Sequence, residues 1–208
     1  MSQPGPIAVY GATGYTGRLV ARELQRRDLD FMLCGRDASK LRALAGELGD
    51  PDVRAAGVND RDALRHAFGD CAAVINCAGP FTLHGEPVVR AAVETGTHYV
   101  DTAGEQPFIK LVSDRFDEAA RAAEVAVVPA LGFDYAPGDL ICRVAAGDHE
   151  PALTLDLAYA VSGFGATRGT LRSALEAIGG DDVVWEDGAW HPAGAGPLRA
   201  RVVFPEPI

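Results

Sequence analysis

Four apolar residues, Ile7-Ala8-Val9-Tyr10, run straight into Gly11-Ala12-Thr13-Gly14-Tyr15-Thr16-Gly17. The apolar run reads as a short buried strand stopped by Gly11. Residues 15–27 then place Leu19, Val20 and Leu24 on one helical face, with Arg18, Arg22 and Arg26 on the other. A strand, a G-x-x-G-x-x-G turn and a helix in that order constrain the fold more than any other feature of the chain. Gly11 permits the turn, Gly14 lets an anion approach the backbone without a Cβ clash, and Gly17 allows close helix–sheet packing. The free N–H groups of the first helical turn, aided by the helix dipole, then bind a diphosphate.

The alternation continues. Phe31-Met32-Leu33-Cys34 reads as a second strand, 38–48 as a helix, 53–58 as a weaker strand, and Asp60 as the cap of a helix through Phe68. Ala73-Val74-Ile75-Asn76 is a fourth strand, followed by a helix over 85–95. His98-Tyr99-Val100-Asp101 is a fifth, followed by a helix over 105–123, and Val125-Ala126-Val127-Val128 is a sixth. Nearly continuous apolar strands separated by helices predict an α/β fold, a doubly wound parallel sheet of Rossmann type. After about residue 131 the rhythm changes. A short helix over 138–146, an alternating strand over 153–161, a helix over 167–178, and strands at 183–185 and 201–204 are expected. The predicted organisation is a dinucleotide-binding domain over 1–131 and a shortened second domain over 132–208, with antiparallel or mixed strands.

Charge and composition narrow the function. Asp and Glu number 29 against 19 Lys and Arg, a formal net charge of -10. That balance, without a basic run, argues against nucleic acid, whose phosphates need clustered cations. No run of about 18 apolar residues suggests a transmembrane segment. The first residues lack the cationic and apolar regions of a signal peptide. Cys34, Cys71, Cys77 and Cys142 have no metal-ligand spacing, so no metal site is expected and reduced thiols in the cytoplasm are the natural reading.

Cofactor choice turns on the end of the second strand. A carboxylate there would take the ribose 2′-OH of NAD. Cys34-Gly35-Arg36-Asp37 instead offers the Arg36 guanidinium, suited to the 2′-phosphate of NADP, with Ser39 and Lys40 as further donors. Asp37 stands one step later and can cap the next helix. NADP is therefore favoured over NAD. Asn76-Cys77-Ala78-Gly79-Pro80 closes the fourth strand at the crevice edge, where small residues would let the nicotinamide half lie against the backbone. A plain Gly-Pro turn is the alternative.

No tyrosine is followed four residues later by lysine, so the Tyr-x-x-x-Lys acid of short-chain dehydrogenases is absent. Cys142 lies in an apolar helical stretch and reads as core rather than as a nucleophile. His84, Asp101, Thr102, Glu105, Asp134 and Tyr135 remain as polar candidates near the sheet edge. Tyr135 or Asp101 is the expected catalytic acid, with helix capping or a turn as the competing role for each carboxylate.

Together these segments resemble the saccharopine dehydrogenase-like oxidoreductases, near the branch of trans-acting enoyl reductases. The resemblance rests on Gly11–Gly17, Cys34-Gly35-Arg36-Asp37, Val74–Phe81, Gly85–Val89, His98–Glu105, Gly132–Asp139 and Gly169–Ser173. It implies an NADP-binding Rossmann domain, then an α/β domain on a mixed or antiparallel sheet, and hydride transfer to a C=N or C=C bond of a small or lipid-like substrate. The short second domain leaves two other expectations open: a non-catalytic NADP-binding or regulatory module, and a dimerising fragment of a longer reductase. An incomplete second sheet would expose an edge, so a homodimer through the C-terminal strands is expected.

Overall fold

The computed structural model describes residues 5–133, 135–147 and 183–192, together with 155, 157–159 and 165. The elements run β1 (Ile7–Tyr10), α1 (Tyr15–Arg26), β2 (Phe31–Gly35), α2 (Ala38–Glu47), β3 (Asp52–Ala55), α3 (Arg61–Phe68) and β4 (Ala73–Asn76). They continue with α4 (Phe81–Glu94), β5 (His98–Asp101), α5 (Gln106–Ala122), β6 (Val127–Val128), α6 (Ala136–Ala146), β7 (Val183–Glu186) and β8 (Ala189–Pro192). The first six strands form one parallel sheet in the order β3-β2-β1-β4-β5-β6. The order reverses between β1 and β4, so the crevice beyond their carboxyl ends is where a ligand has room to enter.

Strand alternation sends side chains into two cores. Val9 and Leu33 meet Ala21, Leu24, Leu41 and Leu44 under α1 and α2. Ala8, Tyr10, Met32, Val74 and Tyr99 meet Leu64, Phe68, Val88, Phe108 and Phe116 under α3, α4 and α5. Helices on both faces explain why the strands read as continuous apolar runs. Four helices end in the same way. After α1, α2, α4 and α5 the chain turns through a left-handed residue, Asp28, Gly49, Gly96 or Glu124, and a later N–H returns to a last-turn carbonyl.

The structure departs from expectation at three places among the described residues. Helix α4 starts at Phe81 instead of residue 85, because the Glu105 carboxylate accepts the Phe81 N–H and Pro87 is carried inside the helix. Gly85 is therefore helical, and a Cβ there would lie 2.3 Å from the Phe108 ring, so α4 and α5 pack closely at that point. Strand β3 ends at Ala55 and β6 contains only Val127–Val128. Strand β8 was not foreseen: it pairs antiparallel with β7 across Asp187-Gly188, both at positive φ, the geometry of a two-residue hairpin turn. The expected helix over 167–178 and strand over 201–204 lie outside the described residues, as does most of the strand over 153–161.

Candidate functional site

The loop after β1 is held by the neighbouring strand β2. The N–H groups of Gly11 and Ala12 both donate to the Cys34 carbonyl, at 2.9 and 3.2 Å, tying the loop to the end of β2. Gly11 takes φ +78°, and a Cβ on it would stand 2.9 Å from the Ala78 Cβ, in the loop after β4. At Gly17 a Cβ would come within 2.3 Å of the Gly11 carbonyl oxygen. Two of the three glycines are thus demanded by packing inside the protein. Gly14 is different: its backbone is extended, it is exposed, and it caps α1 with no side-chain hydrogen bond. The first turn of α1 holds no acidic residue. Its unpaired N–H groups and dipole therefore favour an anion from outside. Tyr15 is exposed beside this opening, while Thr13 and Thr16 are half-buried.

At the end of β2 the two charges separate. The Asp37 carboxylate accepts the N–H of Ser39 and of Lys40, each at 3.1 Å, and the Ser39 hydroxyl at 2.7 Å. Lys40 Nζ lies 3.2 Å from the other oxygen. Asp37 is thus the cap of α2, and Ser39 and Lys40 are turned toward it. Arg36 is exposed and forms no ion pair among the described residues. The residue types at this corner suit a phosphate and leave no free carboxylate for a ribose hydroxyl.

A buried polar chain crosses the next strands. Asn76 and Asp101 are register partners in β4 and β5, and Tyr99 shares the Asp101 face. All three are at most 1% exposed. The Ala78 N–H donates to Asn76 Oδ1 at 3.0 Å, Asn76 Nδ2 donates to the Tyr99 hydroxyl at 3.0 Å, and that hydroxyl donates to Asp101 Oδ2 at 2.8 Å. Asp101 Oδ1 accepts the N–H groups of Ala103 and Ala130, both at 2.8 Å. Burial raises the Asp101 carboxyl above its ordinary range, although these hydrogen bonds oppose the shift. Burial also raises the Tyr99 hydroxyl. Cys77, first pushed by burial and then by the Asp101 charge, rises to about 12, so it is a thiol and not a nucleophilic thiolate at neutral pH.

Glu105 uses both carboxylate oxygens, one for the Phe81 N–H at 3.1 Å and one for the Gly104 N–H at 3.0 Å. The Tyr135 hydroxyl donates to the Gly104 carbonyl at 3.4 Å. Beside Tyr135 opens a cleft of about 520 Å³, with Val128, Leu131, Val184 and Trp185 in its walls. Ala78, Cys77 and the glycine loop are brought together. Asp101 lies beneath that edge with both carboxylate oxygens engaged, and His84 sits half-buried in the first turn of α4. Gly79 and Pro80 are joined by a cis peptide between Ala78 and α4. Asp134 lies outside the described residues. Sequence reasoning missed Tyr99; its only signal was a hydroxyl two positions before Asp101, on the same face of β5.

The chain is 31% identical over 156 residues to the mouse saccharopine dehydrogenase-like oxidoreductase, covering 66% of this chain and 36% of that one. It is 36% identical over 146 residues to a lipid droplet localized protein of Caenorhabditis elegans, covering 64% and 34%. It is 33% identical over 140 residues to the trans-acting enoyl reductase of Mycobacterium ulcerans, covering 64% and 34%. The match spans about a third of the length of each relative. The apo saccharopine dehydrogenase (L-Glu forming) of Saccharomyces cerevisiae shares the fold, with TM-score 0.56 and 23% identity over 69% of this chain and 32% of that one. With residues 7–128 matched by the model of the saccharopine dehydrogenase NADP binding domain, the chain belongs to that family of NADP-binding oxidoreductases.

Proposed function

We propose that the protein transfers a hydride between NADP and a C=N or C=C bond of a small or lipid-like substrate. The observation that carries this reading is the corner after β2. There the Asp37 carboxylate caps α2, while the Arg36 guanidinium is exposed and forms no ion pair among the described residues. NADPH, when bound, supplies the hydride. Gly11, Thr13, Gly14, Tyr15, Thr16 and Gly17 would hold the diphosphate. Arg36, with Ser39 and Lys40 behind it, would hold the 2′-phosphate. Asn76, Cys77, Ala78, Gly79 and Pro80 would line the nicotinamide side. Tyr135, beside the apolar cleft, is the proposed proton donor. Asp101 acts as a positioning residue, because its carboxylate is buried and both its oxygens accept hydrogen bonds from the protein.

The test is binding before turnover. NADPH should raise the melting temperature more than NADH, since a ligand that binds only the folded chain stabilises it by mass action. Arg36→Ala should weaken NADPH by about tenfold or more, the usual worth of a charge-assisted hydrogen bond, and leave NADH nearly unchanged. Equal loss for both cofactors would remove the 2′-phosphate assignment, and no shift with either would remove cofactor binding altogether. A panel of imines and enones then reads turnover.

A second reading, a non-catalytic NADP-binding or regulatory module, draws on the engagement of Asp101 and on the Tyr135 hydroxyl resting against the Gly104 carbonyl. Turnover with any member of the panel would exclude it. In either reading we place the domain boundary near residue 131 and the protein in the cytoplasm, as its four free cysteines suggest. Assembly as a homodimer through the C-terminal strands, or service as a dimerising part of a longer reductase, is supported by β7 and β8. They pair only with each other among the described residues.

A further inference from the structure

The loop after β4, proposed to face the cofactor, and the loops after β5 and β6, proposed to face the substrate, share no strand pairing beyond Asn76 and Asp101 at the strand ends. Two side-chain links fasten them: Glu105, which accepts the Phe81 and Gly104 N–H groups, and, closer to the strand ends, the relay described above. Ala78 hangs on Asn76, Asn76 on the Tyr99 hydroxyl, and that hydroxyl on Asp101, which also holds the N–H groups of Ala103 and Ala130. The Leu131 N–H adds a bond to the Asp101 main-chain carbonyl at 2.8 Å. Ala130 sits at φ +59°, a conformation that a residue with a Cβ keeps only where its surroundings hold it. At the strand ends, one hydroxyl therefore joins two halves of the crevice.

We propose that Tyr99 is a positioning residue whose hydroxyl holds the cofactor-facing loop after β4 in register with the substrate-facing loops after β5 and β6. The role rests on the NADP reading of the crevice. It adds that the Tyr99 oxygen fastens the two sides at the strand ends, beside the Glu105 carboxylate, which ties Gly104 to the first N–H of α4. Its direction is chemically fixed. An ionised carboxylate only accepts, so Asp101 accepts the hydrogen bond that the Tyr99 hydroxyl donates, and the Tyr99 oxygen is left to accept from Asn76. A phenylalanine at position 99 would fill the same space and leave Asn76 and Asp101 facing each other without their intermediary.

The test uses the intact chain with Tyr99→Phe, and Asn76→Ala as a second variant that cuts the relay from the other side with little change to the core. In the free protein, amide hydrogen exchange at Ala78, Ala103 and Ala130 should quicken by about tenfold, the factor associated with one buried hydrogen bond. Amides of β1 and β2 should keep their protection. NADPH affinity should fall by a similar factor in both variants, and the NADPH-to-NADH preference should stay as in the parent. The double variant should lose little more than either single one, because both cut one chain. Unchanged exchange at the three amides, or a uniform rise across the whole sheet, would overturn the proposal. So would unaltered NADPH affinity in variants whose parent binds it. If the parent binds no NADPH, the NADP reading fails, and the exchange pattern alone still decides whether Tyr99 fastens the loops.

Discussion

Asp37 is held down to about 2, first by the Ser39 hydroxyl and then by the Lys40 N–H. Its folded value lies below its unfolded one, so the cap's stabilisation is complete above about pH 4 and is lost as pH falls toward 2. Asn in its place keeps the cap without titrating. Asp37→Asn should therefore flatten the fall in stability between about pH 4 and pH 2, read by denaturant unfolding across that range. Some slope must remain, because Glu23, Asp70 and Asp117 are lowered as well. At this scale the sequence was informative wherever one residue type has one job. Gly11 and Gly17 stand where a Cβ would collide, and Asp37 caps a helix two residues after the strand ends. Asp101 was harder to read. A carboxylate at a strand end looks the same in sequence whether it faces a ligand or lies beneath the edge under two backbone N–H groups.

Helix α4 shows how one element can hide its own beginning. The expected helix begins at Gly85, yet Gly85 lies in the second turn of a helix that already runs from Phe81 and carries Pro87 inside it. Gly85 is there because the Phe108 ring occupies the space of its Cβ. Gly85→Ala should consequently destabilise the protein by about 1–3 kcal/mol, the cost of overpacking a tight core. Phe108→Leu should recover part of that loss, and a double-mutant cycle by thermal unfolding reads the coupling. If Gly85→Ala is neutral, the close approach of α4 and α5 is not a constraint. The start of α4 was illegible for a related reason. Its first N–H is satisfied by Glu105, which is distant in sequence, whereas Asp37 and Asp60 cap from next door.

For the whole molecule, the order β3-β2-β1-β4-β5-β6 was legible, because alternating strands and helices with right-handed crossovers leave few alternatives. The hairpin of β7 and β8 was not, since Ala189–Pro192 has no apolar alternation and its signal was the Asp187-Gly188 turn alone. Exposed Leu140, Ile141 and Val144 on α6 lie on the same side of the chain's rhythm break as those strands. If the homodimer forms, light scattering at micromolar concentration should give twice the chain mass of 21.8 kDa, and a monomer would rule it out. The ends of α1, α2, α4 and α5 carry one last consequence. All four left-handed turns gather on the rim where strands begin, opposite the rim where they finish. That far rim is built from exposed acidic residues such as Asp28, Asp30 and Asp50. A dye, a surface tether or a fused domain attached there would leave the nucleotide side open, giving the molecule a natural handle.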